Sequence, residues 1–216
     1  MLDALTEDFA PEKRVALAWT PVASRPVLAT LLAFDQRLSR IVSQATKPML
    51  AQLRLAWWRD ELAKPVELRP TGDAVLDAIG GHWRGQEESL STIVDGWELL
   101  LVDELSPDVA SEFVARRATG FCGMAGLVAN EKEDSARVAG AIWSAMDASV
   151  HASDAGERAI LRAVALDGHL PDLPRPLRGL SVLAGLALRA AKREEPSLMA
   201  GRGGALAALR LGISGR

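Results

Sequence analysis

Residues 28–44 read LATLLAFDQRLSRIVSQ, and the spacing of their apolar side chains decides the fold class. Leu28, Leu31, Leu38 and Val42 recur at three, four and seven residues, the period of one helix face and not the alternation of a strand. Asp35 falls on the same stripe. A carboxylate on a buried stripe is costly unless a cation or N–H donors meet it. It either organises packing through such a partner or lines a pocket; the first is the expectation, with Arg54 on the following helix as the partner.

Outward from this helix the same period runs through nearly the whole chain. Pro11 to Trp19 precede it as a short helix stopped by Pro21, and Ser24 with Pro26 opens residues 25–44 as helix start signals. Thr46 and Pro48 repeat that signal for a helix carrying Met49, Leu50, Leu53, Trp57 and Leu62, ended by Pro65. After a loop from Val66 to Gly72, helices are predicted over Asp73–Trp83, Ser89–Glu104 and Pro107–Val128, the last opened by Ser106. A turn at Asn130–Asp134 leads to helices over Ser135–Val150 and Glu157–Leu166. Gly168–Gly179, with Pro171, Pro174 and Pro176, reads as an extended strap, because each proline disfavours helix in the residue before it. Leu180–Lys192 and Gly204–Leu211 complete an all-α chain with no repeat, expected as a single domain over residues 1–216.

The composition agrees. Hydrophobic residues at 49% and charged residues at 25% are an ordinary globular balance, and 216 residues suffice for one well-buried core. A net charge of -3 with no Lys/Arg-rich block argues against a dedicated nucleic-acid binder. The single Cys122 cannot form an intramolecular disulfide, and with three scattered histidines it offers no zinc spacing. Asp3, Glu7, Asp8, Glu12, Lys13 and Arg14 leave no room for a signal-peptide core, so a cytoplasmic location is expected. The longest apolar run, Leu180 to Ala191, is broken by Arg189 and too short to span a bilayer. Peripheral contact with a membrane is compatible with it.

Taken in order, LATLLAFDQRLSRIVSQ (28–44), QLRLAWWRDEL (52–62), IVDGWELLL (93–101) and LPRPLRGLSVLAGLALR (173–189) resemble the squalene/phytoene synthase family. No one of the four carries the resemblance alone, and RLAWWRDEL is the most distinctive. The resemblance spans about Glu12 to Gly215 and implies an α-helical isoprenoid-synthase fold around a central cavity. In active members a double aspartate and a third aspartate follow the Ala-Phe pair; counted from Ala33 and Phe34 these places hold Ser39, Arg40 and Ser43. The second aspartate motif should lie in AGAIWSAMDASVHASDAGE (139–157), which has Asp147 and Asp154 but no Arg-Asp pair and no Asp four residues from Asp147. A diphosphate leaves only when Mg²⁺ neutralises its developing charge, and that cation requires carboxylate ligands. Serines supply none, and an arginine repels it.

Other acids are weighed in the same way. Asp95 and Glu98 lie three apart on one helix, and Asp60 and Glu61 end the WWRDEL run; such pairs belong to solvated helix faces more often than to ligand sets. His82, His151 and His169 stand apart from one another and read as surface or capping groups. Adjacent Trp57 and Trp58 project about 100° apart on a helix, so one can face a cavity while the other packs outward, although core packing is the expected role of both. Arg54 and Arg59 flank them and are suited to clamp an anionic head group or to pair with Asp35.

The functional expectation is a divergent member of the family, catalytically inactive, that keeps the helical bowl as a binding scaffold. RLAWWRDEL and LPRPLR look more like the branch that assembles respiratory complex I than like the synthases, so its partner is expected to be a protein, an isoprenoid or another lipid. Asp35, Arg54, Trp57, Arg59, Asp95 and Glu98 are the candidate pocket residues, with no catalytic residue, metal ligand or cofactor assigned. One alternative is a head-to-head prenyltransferase holding Mg²⁺ through Asp35, Asp95 and Glu98. The other is a helical interaction module without a small-molecule ligand.

Overall fold

Among the described residues, alternation of capping signals and apolar stripes produces eleven α-helices and no strand. The computed structural model describes residues 2–102, 104–129 and 132–215. In chain order the helices are α1 (Leu2–Thr6), α2 (Pro11–Trp19), α3 (Arg25–Ser43), α4 (Pro48–Ala63), α5 (Ala74–His82), α6 (Glu87–Glu98), α7 (Pro107–Val128), α8 (Glu133–His151), α9 (Ala155–Asp167), α10 (Arg178–Arg193) and α11 (Gly201–Ser214).

Among the described residues Ser106 caps as the sequence suggests, and Asp73 and Asp154 cap as well. Ser106 Oγ accepts from the Val109 N–H at 3.2 Å, Asp73 Oδ1 from Val75 and Leu76, and Asp154 Oδ1 from Gly156 and Glu157. Ser24 does not cap: its backbone is already helical and its side chain makes no capping bond. The helix predicted to reach Glu104 ends at Glu98, and Asp103 lies outside the described residues. The turn predicted at Asn130–Asp134 is cut short because α8 starts at Glu133; Asn130 and Glu131 lie outside the described residues. The strap holds except for a short 3₁₀ turn, Arg175–Leu177, that leads directly into α10.

One cluster of buried apolar residues runs from Leu5 to Leu211. The α7 helix sits at its centre, packed between α6 and α8 and reaching α3 and α9, while α10 closes the far side against α2, α8 and α11. Two glycines make this closeness possible. A Cβ on Gly120 of α7 would lie 2.5 Å from Ile93 of α6 and 2.6 Å from Leu31 of α3, and one on Gly140 of α8 would lie 2.5 Å from the Phe121 ring.

The α4 helix corrects an expectation. Its inward face is Ala51, Leu55, Trp58 and Leu62, while Met49, Leu50, Leu53 and Trp57 face outward. Because both faces are apolar, periodicity alone does not choose between them.

Candidate functional site

Asp35 sits deep in the core, as a charged residue on the α3 stripe requires, but its partner is not Arg54. Arg117 of α7 meets it with a two-pronged grip, Nε donating to Oδ1 at 2.7 Å and Nη2 to Oδ2 at 2.6 Å. The same guanidinium reaches α8, where Nη2 donates to Asp147 Oδ2 at 2.5 Å and Nη1 to the Ser144 carbonyl at 2.8 Å. The Trp97 indole N–H of α6 donates to Asp35 Oδ1 at 3.0 Å. One arginine thus ties the carboxylates of α3 and α8 together through α7.

Aromatic rings wall this network off from water. The Arg117 guanidinium carbon lies 4.9 Å from the Trp97 ring centroid, 4.8 Å from that of Trp143 and 5.6 Å from that of Phe113, distances at which a cation is attracted to ring faces. Lys13 of α2, also buried, places Nζ 5.6 Å from the Trp143 ring centroid. Burial pulls the Arg117 pKa down, but the charges of Asp35 and then Asp147 outweigh it and hold the guanidinium above its ordinary range. Burial likewise pushes the Asp147 carboxyl up, yet Arg117, Lys13 and His151 together keep it below its usual value. Two anions and two cations therefore balance. Asp147 Oδ1 is buried without a hydrogen-bond partner.

Trp97 separates this network from a cavity of about 380 Å³. Ser39 and Ser43 of α3 border it on one side and Ala148 and His151 of α8 on the other, with Leu100 and Leu161 among its apolar lining. Ser39 and Ser43 are two of the three positions where the resemblance places the first set of metal-binding aspartates. Arg40, the middle one, turns away and donates to Asp8 at 2.9 Å. His151 stands four residues beyond Asp147 and its Nδ1 lies 2.7 Å from the Asp147 carbonyl oxygen. Asp154 is a helix cap, its pKa lowered by the backbone N–H groups of Glu157 and Gly156.

The remaining predicted site residues do not join this cavity. Arg59 is taken by Asp95, at 2.5 Å, and by Glu98; burial lowers its pKa, but these hydrogen bonds raise it further. Asp35, Asp95 and Glu98 thus belong to two separate ion networks, contrary to a shared cation site. No group of three or more His, Cys, Asp or Glu suited to a metal is found among the described residues, and the residues at the aspartate positions do not fit Mg²⁺. Arg54 is exposed and shares a groove of about 360 Å³ with Arg37, Arg40 and Trp57. Of the tryptophan pair only Trp58 enters the core, its ring 5.1 Å from that of Phe34; Trp57 is 40% exposed. Core packing for both is therefore corrected.

Arg117, Lys13 and Trp143 were not singled out by the sequence reading, although Arg117 carries the network. Its signal was present: Ala110, Phe113, Val114, Phe121 and Met124 form a buried stripe on α7 in which Arg117 falls. A second charge on a buried stripe announces the partner of the first. Among the described residues no helix is long and apolar enough to cross a membrane. Compared with protein-family profiles, with curated proteins and with solved structures, the chain finds no match.

Proposed function

We propose that this protein is a helical binding scaffold of the squalene/phytoene synthase type, which has given up magnesium-dependent diphosphate chemistry and receives an apolar, isoprenoid-like chain in its cavity. The observation that carries this reading is the position of Arg117 between Asp35 on α3 and Asp147 on α8. Prenyl transfer through Mg²⁺ needs facing carboxylates free to ligate the cation. Here a fixed cation holds both acids, and the polar residues that edge the neighbouring cavity are serines, His151 and a single carboxylate, Glu157, too few acids for a Mg²⁺ clamp. What such a cavity still offers is an apolar wall with a few polar groups at its edge, the usual composition of a lipid or small-molecule site.

Titration with farnesol and with farnesyl diphosphate, each with and without Mg²⁺ and followed by tryptophan fluorescence, tests the reading. Farnesol should bind, Mg²⁺ should change nothing, and Ala148→Trp, which fills the cavity, should abolish binding. Diphosphate binding that depends on Mg²⁺ would overturn it. A second reading, an interaction module without small-molecule ligand, is favoured by the uncovered apolar face of α4; under it the farnesol titration stays flat.

A further inference from the structure

A second concave site lies between α3 and α4. Arg37, Arg40 and Ile41 stand three to four residues apart on one face of α3, and Arg54, Trp57 and Trp58 do the same on α4. Together they line a groove of about 360 Å³. Ile41 and Trp58 are buried and give it an apolar base, while Arg40 and Arg54 are exposed and Trp57 is 40% exposed. Ser39 and Ser43, on another face of α3, border the separate cavity toward α8.

The side chains that line this groove set its charge. Three of them are arginines, and among the described residues no Asp or Glu lines it. Two of the arginines are paired with acids from outside the groove: Arg37 Nη1 donates to Asp73 Oδ2 and Arg40 Nη2 to Asp8 Oδ2, each at 2.9 Å. Each pair uses one nitrogen of a guanidinium that carries five N–H donors, and ion pairs this exposed hold weakly. Arg54 meets no carboxylate among the described residues. Of the three cations one is thus left without an acid, and the other two keep donors in reserve.

We propose that this groove binds a phosphate monoester carrying a flat ring, as a mononucleotide does. A phosphate monoester presents three acceptor oxygens and close to two negative charges. Three guanidiniums approaching from two helices match it better than they match a carboxylate, which has fewer oxygens and less charge. Trp57 supplies the platform for the ring. Its indole stands edge to face against Trp58 at 5.1 Å, and Trp58 packs in the same way against Phe34, so the core sets the orientation before any ligand arrives. A pinned, partly exposed indole is a stacking surface, and Arg54, one turn earlier, adds a second planar group. The volume of the groove falls within the range of small-molecule sites. The inference is independent of what the cavity between α3 and α8 binds.

Calorimetric titration of the full chain with AMP, GMP and flavin mononucleotide tests it, with adenosine and inorganic phosphate as the ring and the anion taken separately. At least one nucleotide should bind without Mg²⁺, and adenosine and phosphate should each bind on the order of tenfold more weakly. High salt should weaken the nucleotide. Arg54→Ala and Trp57→Ala should each lower its affinity on the order of tenfold, and Arg54→Ala should leave the circular-dichroism melt unchanged. Asp8→Asn, which frees Arg40, should bind more tightly than the parent. Ala148→Trp should bind as the parent does, so failure here and failure of the farnesol titration are separate results. Absence of binding by all the nucleotides, adenosine or phosphate binding as tightly as they do, parental affinity in both Arg54→Ala and Trp57→Ala, or weaker binding by Asp8→Asn would overturn the proposal. Should Trp57→Ala misfold, Arg54→Ala decides the matter in the same way.

Discussion

Arg117 grips Asp35 through two hydrogen bonds of 2.7 and 2.6 Å that join positions 82 residues apart, in a core where both side chains are almost wholly enclosed. The contact fixes α3 against α7, and Asp147 extends it to α8. Removing one member of such a network strands its partner's charge away from water, a far larger effect than the net worth of the pair.

Asp35→Ala should therefore lower stability by about 3–5 kcal/mol, and Arg117→Ala by at least as much because it strands two carboxylates. Urea denaturation measures both. A loss below about 1 kcal/mol for either would mean that the enclosed geometry does not persist in solution.

If the network serves architecture rather than chemistry, it should be replaceable by apolar side chains. The combined change Asp35→Leu, Arg117→Met and Asp147→Leu should be more stable than Arg117→Ala alone by about 2 kcal/mol. Denaturation of the two variants side by side checks this. A triple variant no more stable than Arg117→Ala would show that the surrounding helices cannot repack around apolar groups.

Acid should reveal Asp147. Burial opposes its ionisation, but Arg117 first, then Lys13 and His151, keep its folded-state pKa below the ordinary value. A depressed carboxyl contributes stability that is complete above its unfolded pKa of about 4 and lost as the pH falls through the folded value. Arg117, held above its ordinary range, stays charged in both folded and unfolded chains from acid to well above neutral pH and adds no slope there. Urea midpoints should accordingly stay flat between neutral pH and about 5 on account of this network, then fall more steeply in the parent than in Asp147→Asn. Parallel acid limbs would contradict the assignment.

What the sequence made legible follows from what side-chain spacing encodes. The α3 stripe revealed both the helix and the burial of Asp35, because an apolar period reports which face turns inward. It did not reveal the partner, since Arg117 lies 82 residues away and is adjacent only once α7 is packed in place. Arg54 was the nearer arginine in sequence, but it projects from the solvent side of α4. That helix was hard to orient for a physical reason: Leu55 and Trp58 on one side and Leu53 and Trp57 on the other are equally apolar. Ser24 looked like a cap by residue type alone, and only its backbone angles of -91° and -15° exclude it. The cavity was not legible: Ser39 and Ser43 were read only as places without an aspartate, and none of the six candidate pocket residues lines it.

Arg59 offers the contrasting case. Its contacts to Asp95 and Glu98 join α4 to α6 near the surface, where water and salt screen the charges. Arg59→Ala should cost no more than about 1 kcal/mol, and less at high salt. A cost approaching that of Arg117→Ala, by the same denaturation assay, would place the pair in a drier setting than its exposure implies.

Whether the proposed scaffold binds without magnesium-dependent prenyl transfer is decided by one incubation. The protein is mixed with labelled farnesyl diphosphate, Mg²⁺ and a reductant, and the organic extract is searched for coupled hydrocarbon. Label should be recovered only as the starting diphosphate or its spontaneous hydrolysis products, with or without Mg²⁺. A Mg²⁺-dependent coupled product that disappears in Asp35→Ala would contradict the proposal.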